Sequence, residues 1–340
     1  MKRAATIEDI ARRTGVAKST VSRALNGSSR ISAKTRGRIV SAAKSMHYEP
    51  NYLARNLSRS RTLSIGVILE DIMNPFFTEV AKGIQTVLTA RGYTMLLTSS
   101  GYVPESEIDL TRTLLRNKVD GVLITPVAAD SESVQLLRAR HVPFFIMNEK
   151  TPDPGVNWID SDNLAGGALA AEHLLGLGHR RFLILRDQSL HGTRDRFEGL
   201  RGALEGRGLS LSDQVVLDGA ISRQDGMDLV AAFLGSAGRA DLPSAVVACN
   251  DAVAIGAMES LFAHGIRVPQ EVSVMGYDDI YMASFIRVPL TTVHQAKFRM
   301  GQIAASGLLA ALDGSEPAGG RQVMITPRLV IRESCRENSR

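Results

Sequence analysis

From Leu63 onward, short apolar runs alternate with stretches whose apolar positions recur every three or four residues. The runs are LSIGVIL at 63–69, YTMLLTS at 93–99, GVLITP at 121–126, PFFIM at 143–147 and NWID at 157–160. Between them the spacing predicts helices from about 76 to 91, 105 to 117 and 131 to 140. The pattern then restarts, with helices at 164–176, 194–206, 223–235 and 251–264 and strands at RFLIL, 214–217, SAVVA and VSVMG. Continuous apolar strands separated by amphipathic helices describe parallel sheets covered on both faces. The fold class is therefore α/β, with two doubly wound units whose strand ends leave a ligand cleft between them. A last segment, TTV, a helix near 295–312 and two short strands, is too small for another domain and is expected to thread back through both units.

The first 50 residues follow a different rule. Thr6-Ile7-Glu8-Asp9 reads as a capping box that starts a helix carrying Ile7, Ile10 and Ala11 inward. Gly15 supplies a tight turn, after which Val21 and Leu25 lie four apart and leave Lys18, Ser19, Ser22 and Arg23 outward. Gly27 ends that helix, and Ser32-Ala33-Lys34-Thr35 opens a third whose Ile39, Val40, Ala43 and Met46 complete a small core. Three short helices with a glycine turn between the first two make a helix-turn-helix unit, in which the second helix enters the major groove. Lys18, Ser19 and Arg23 are then the base readers, and the Ser and Thr hydroxyls suit phosphates. The expected boundaries are a DNA-binding head at 1–50, a hinge at 51–61 and a body at 62–340. The body divides into one subdomain at about 62–160 and 293–321 and a second at about 161–292 and 322–334.

Charge supports that division. Residues 1–61 hold 14 Lys/Arg against three acids, a balance of +11, which leaves −6 on the remaining 279 of the 340 residues. A basic head on an acidic body is the footprint of a protein whose head meets a phosphate backbone. With 44% hydrophobic and 22% charged residues, the chain lies in the ordinary globular range and outside the disordered and collagen-like classes. No apolar run reaches the roughly 18 residues of a membrane span, and the first 30 residues show no apolar signal segment, so a cytoplasmic protein is expected. Cys249 and Cys335 make no disulfide framework or metal knuckle. No Gly-rich dinucleotide loop, Walker loop, HExxH or GxSxG is present, so neither an enzyme nor a cofactor is implied. His173 and His179 read as surface or capping residues, whereas His191 falls in a cleft loop where ligand contact is one reading.

The runs TIEDIA at 6–11, GVAKSTVSRALN at 15–26, ISAKTR at 31–36 and YEPN at 48–51 closely resemble the lactose-repressor and galactose-repressor family of bacterial transcription regulators. The body resembles the periplasmic sugar-binding-protein fold carried by the same family, through NPFF at 74–77, RxRFxG at 194–199, CNDAVAIGA at 249–257, GYDD at 276–279 and LTTVHQ at 290–295. The resemblance implies DNA contacts from Thr6, Lys18, Ser19, Thr20, Ser22, Arg23 and Asn26, continued in the hinge by Asn51 and by Leu57 as a minor-groove wedge. It implies effector contacts from Phe76, Phe77, Thr125, Asn148, Arg196, Asn250 and Asp278, a set that suits a polyol or similar small polar molecule.

Several positions depart from the family pattern. Ala17 stands where many relatives carry a capping Ser, and Ile221 where several have a large ring. Arg186-Asp187-Gln188 replaces a Gly-Pro loop start, and Asn148 stands where Asp is frequent, from which a more positive cleft and an anionic effector are expected. The partners implied are pseudo-palindromic operator DNA, a sugar, sugar acid or sugar phosphate, and a second copy of the chain, since a dimer reads two half-sites. The polar tail after Arg332 has no leucine heptads, which argues against a coiled-coil tetramer. The function expected is a ligand-controlled transcription repressor. The alternatives are a solute-binding protein with a non-functional DNA head, which the missing signal segment disfavours, and an enzyme working in the cleft.

Overall fold

Thr6 accepts a hydrogen bond from Asp9 N at 3.3 Å while the Asp9 carboxylate accepts one from Thr6 N at 3.0 Å, so the first helix opens on a complete capping box. In this computed structural model, which describes residues 5–25, 28, 30–48, 61–315 and 320–338, the chain falls into two units, Met1–Thr62 and Leu63–Arg340. The first unit holds α1 (Ile7–Thr14), α2 (Lys18–Leu25) and α3 (Ala33–Ser45). Gly15 caps α1 in the left-handed region at φ 66°, and Ser32 caps α3 by accepting from Thr35 N. Ile10, Val21 and Ile39 are fully buried, joined by Ala24, Ala42 and Ala43. Val40, expected in this core, is exposed instead: the inward stripe of α3 runs Ile39, Ala42, Ala43, Met46, and Val40 lies one position off it. Asn26, Gly27 and the hinge positions Asn51 and Leu57 lie outside the described residues.

In the second unit, β1 (Ser64–Leu69), α4 (Pro75–Ala90), β2 (Thr94–Ser99), α5 (Pro104–Arg116), β3 (Gly121–Ile124), α6 (Glu132–Ala139), β4 (Phe144–Met147) and β5 (Trp158–Ser161) build a first lobe. A second lobe follows as α7 (Asn163–Gly176), β6 (Phe182–Arg186), α8 (His191–Gly206), β7 (Val215–Asp218), α9 (Arg223–Ala237), β8 (Ala245–Ala248), α10 (Asp251–Ala263) and β9 (Ser273–Met275). Its sheet is parallel in the order β7-β6-β8-β9. The chain then crosses back through β10 (Thr292–His294) to α11 (Lys297–Leu312) and ends with β11 (Gln322–Ile325) and β12 (Arg328–Val330).

The first-lobe sheet has six parallel strands in the order β11-β5-β4-β3-β1-β2. Gln322 pairs with Trp158 and Ile325 with Ser161, so residues 322–325 belong to the first lobe and the expected subdomain boundary at 321 falls too early. Val323 and Ile325 turn onto the first-lobe core, and that burial holds the edge strand in place. The return crossing comes after it, where β12 pairs antiparallel with β10. Apolar clusters on both faces of each sheet explain why the central strands read as unbroken apolar runs.

Helix α11 packs backbone to backbone against α4 in the first lobe, with Met300, Ala304 and Leu308 fully buried. Gly83 and Gly301 permit this approach: a Cβ on Gly83 would overlap the Phe298 carbonyl, and one on Gly301 the Val80 carbonyl. Gly83→Ala is therefore expected to destabilise the body by about 1–3 kcal/mol through overpacking, despite the better helix propensity of alanine. Equilibrium urea unfolding checks this, and a stability equal to the parent would mean that the two helices separate at no cost.

Candidate functional site

On α2 the side chains of Lys18, Ser19 and Arg23 are exposed, Thr20 and Ser22 are half-buried, and Val21 and Ala24 are buried. One polar, cationic face is thus presented by a short helix whose back is anchored in the head core. Ala17 contributes only its carbonyl to the start of α2, accepting from Val21 N at 3.1 Å. Lys18 Nζ lies 2.8 Å from Glu8 on α1, and that pairing holds the Glu8 carboxylate below its usual range. The Thr6 hydroxyl donates to Asp9 at 2.7 Å while accepting from its backbone, so its first duty is the cap.

In the body, a cleft opens between the lobes where the strands end. Phe76 and Phe77 stand at the start of α4 with rings edge to face at 5.0 Å and form an apolar wall. Asn74 fixes that start by accepting from Phe76 N at 3.0 Å. Asn148, in the left-handed region at φ 57°, and Glu149 follow β4; Glu70 follows β1; Tyr102 lies beyond β2. The second lobe contributes His191, Gly192, Thr193 and Arg196 from α8, with Asn250 and Asp278 from strand-end loops.

Arg196 is fixed from several sides. Its Nε donates to Asn163 at 2.9 Å, one Nη donates to the Cys249 carbonyl at 2.6 Å, and its guanidinium lies 3.9 Å above the Tyr277 ring. Asp278 Oδ1 stands 3.6 Å from the guanidinium and accepts from Gln295 Nε2 at 2.7 Å. Burial raises the Asp278 carboxyl above its ordinary range, and Arg196 opposes that rise. These two residues both pair with each other and line the cleft.

Of the sequence-predicted effector contacts, Phe76, Phe77, Asn148, Arg196, Asn250 and Asp278 are brought to this cleft. Thr125 is not: it is buried one residue beyond β3, directs its hydroxyl to the Ile68 carbonyl at 3.4 Å, and leaves the lining to Pro126 and Val127. The carboxylate of Glu107 holds that wall, accepting from Val127 N and from Ser131 Oγ, both at 2.7 Å. Asn250 reaches the cleft with both ends of its amide engaged, accepting from Val253 N at 2.8 Å as the α10 cap and donating to the Ile221 carbonyl at 3.0 Å.

The sequence reading missed Glu70, Tyr102 and Glu149. Glu70 and Glu149 are buried carboxyls at the carboxyl ends of two apolar strands, and that position was the available signal. Burial, then the neighbouring Glu149, push the Glu70 carboxyl up to about 8; burial also raises Glu149. His191, the first residue of α8, sits with Nε2 3.5 Å from Asp160 and 3.6 Å from both Glu149 and Asp195. Contact with Asp160 holds its pKa above the ordinary value against the burial penalty, with help from Glu149 and Asp195. Beside it Lys150 donates to Asp195 at 2.5 Å, an ion pair that joins the first lobe to α8 of the second.

The loop departure that suggested a more positive cleft adds no cation to it. Arg186 turns to the adjacent strand, bonding Asp218 at 2.9 and 3.2 Å and lying 3.9 Å above the Phe197 ring, so it adds no charge to the lining. Glu70, Glu149 and Asp278 face the cleft instead. Among the described residues, no cluster of three or more His, Cys, Asp or Glu is placed to hold a metal ion, and no helix is long and apolar enough to cross a membrane.

Comparisons with known proteins agree with both halves of the chain. Residues 6–51 match the model of bacterial regulatory proteins of the lacI family, and residues 171–335 match that of a periplasmic binding protein-like domain. The chain is 32% identical over 335 residues to the HTH-type transcriptional repressor PurR of Haemophilus influenzae (strain PittEE), covering 98% of this chain and 99% of that one. It is also 32% identical to the ribose operon repressor of Escherichia coli (strain K12), over 97% of this chain and 100% of the relative. Among solved structures, the lac repressor dimer bound to operator and the anti-inducer ONPF superimposes with a TM-score of 0.85 at 27% identity, covering 98% of this chain and 99% of that one. A LacI family regulator from Enterococcus faecium with bound ribose matches 81% of this chain and 100% of its own, with a TM-score of 0.73 at 29% identity. With a helix-turn-helix head, a two-lobed body and relatives matched over nearly their whole length, the chain belongs to the LacI family of bacterial regulatory proteins.

Proposed function

We propose that the chain is a sequence-specific transcriptional repressor whose operator affinity is set by a small polar effector held between the two lobes of its body. The observation that carries this reading is the joint presence, in one chain, of an exposed Lys18/Ser19/Arg23 face and a cleft lined from both lobes. A ligand touching both lobes binds one lobe arrangement better than another, and it can shift DNA affinity only by that difference, typically about 1–3 kcal/mol. The ribose operon repressor named above and the ribose-bound relative support a sugar or similar polar molecule as the effector. Two copies acting together follow from the two half-sites that a helix-turn-helix dimer reads.

Selection of bound duplexes from a random pool by the purified protein tests the reading. Enrichment of a two-fold symmetric site is expected, and a pool without sequence enrichment at any salt, with or without candidate effectors, would overturn it. In the same assay Arg23→Ala is expected to lose about 1–3 kcal/mol of discrimination at one position of each half-site, while salt-dependent binding to unrelated DNA persists. An unchanged base preference would place the reading surface elsewhere than on α2.

A further inference from the structure

The cleft holds more buried acid than base. Glu70, Glu149 and Asp278 are 8%, 7% and 3% exposed, and all three line it. The cationic groups are already committed: Arg196 to Asp278, Asn163 and the Cys249 carbonyl, His191 to three surrounding carboxylates, and Lys150 to Asp195. An incoming carboxylate or phosphate would meet no uncommitted cation on this lining.

One further atom points to what the cleft does accept. Asn148 donates its amide weakly to Glu70 at 3.5 Å, which leaves its buried Oδ1 without a partner. Asn148 lines the cleft. An unfilled amide oxygen beside two carboxyls calls for a donor-rich ligand, because buried acceptors left unpaired cost free energy. Phe76, Phe77 and Tyr102 supply the apolar surface against which a ring face can lie.

Resting on the reading of this cleft as the effector site, we propose that it selects a small polyhydroxyl ligand bearing no negative charge, binds tightest a version carrying a protonated amine against Glu70 and Glu149, and rejects sugar acids and sugar phosphates. Glu70, raised to about 8 in the empty cleft, is protonated at neutral pH. An ammonium placed beside it favours the carboxylate. The Glu70 proton then leaves to solvent as the ion pair forms, less the proton taken up by whatever fraction of the free amine was neutral.

Matched ligands that share a skeleton and differ only in charge provide the test. Calorimetric titrations would use glucose, glucosamine, gluconate and glucose 6-phosphate, with the ribose and galactose counterparts. They would be run at pH 7 in buffers of unlike ionisation enthalpy, on the full chain and on Glu70→Gln. Within any skeleton that binds, the amine should bind at least tenfold tighter than the neutral sugar, and the acid and phosphate at least tenfold weaker. Proton release on amine binding should appear in the parent and vanish in Glu70→Gln. Tighter binding of an acid or phosphate would overturn the charge selection and leave the effector cleft standing, as would amine binding without proton release. Failure of every ligand to bind, in protein that still selects its operator, would overturn both this inference and the cleft as a polyol site.

Discussion

Arg196→Met should unfold at markedly lower urea and lose effector binding by at least a hundredfold. The guanidinium is enclosed, with its side chain 11% exposed, and lies 3.6 Å from the buried Asp278 carboxylate. Removing it leaves that carboxylate uncompensated, a change that ordinarily costs about 3–5 kcal/mol. Gln295 still donates to Asp278 at 2.7 Å and Lys297 still donates to its backbone carbonyl at 2.6 Å, which places the expected loss at the lower end of that range. The bonds to Asn163 and the Cys249 carbonyl disappear as well, and the Tyr277 ring loses the cation above it. Adding Asp278→Asn should restore much of the stability, because the stranded charge is then gone, yet it should not restore ligand binding. Urea titration of parent, single and double variants at pH 7 reads the first effect and calorimetry the second. A double variant no more stable than Arg196→Met would show that the Arg196–Asp278 pair does not govern the cost.

What was legible in the sequence, and what was not, divides along burial. Strands such as Ile65–Leu69 and Ala245–Ala248 are buried on both faces, so their apolar runs announce a parallel sheet directly. The edge strand Gln322–Ile325 half-buries only alternate residues, and nothing in so short a stretch says which sheet it joins; the pairing with Trp158–Ser161 decides that. Helix α8 was expected to start at 194 but begins at His191, because Leu190 offers no side-chain cap for a reader to find. His191, read as part of a cleft loop, does line the cleft, but as the first residue of the helix.

Thr125 shows a second limit, since one step along an extended chain exchanges inside for outside. Arg186 shows a third: its charge was legible, but its direction depended on Asp218 in the neighbouring strand. Glu70 and Glu149 were within reach of the sequence, as the polar residues that close apolar strands at the ligand-binding ends of the sheets. Their influence on each other was not, because it depends on β1 and β4 lying on either side of β3.

The ligand-free body should become less stable relative to Glu70→Gln as pH rises from about 5 to 8. A carboxyl raised from 4.5 to about 8 keeps in the folded state a proton that the unfolded chain gives up above its ordinary pKa. Its contribution is therefore fully present below about 4.5 and fades as pH climbs toward 8. At about 1.4 kcal/mol per pH unit, the whole span corresponds to roughly 4–5 kcal/mol, an upper bound because water entering the cleft would soften it. Glu149 and His191, both raised, act in the same direction; His173 and His179, lowered by burial, oppose it on the acid side of neutrality. The difference between parent and variant isolates Glu70 from those groups, except for its direct coupling to Glu149. Glutamine keeps the shape of the protonated acid and cannot ionise, so the two proteins should be nearly equal near pH 5, with the variant ahead by several kcal/mol at pH 8. Urea unfolding at unit steps of pH reads the divergence, and parallel curves would mean that Glu70 ionises like a solvated carboxylate. A saturating amine ligand should close the gap from the other side: it supplies at pH 8 the positive charge that the lost proton no longer provides, and the glutamine variant has no carboxylate to receive it.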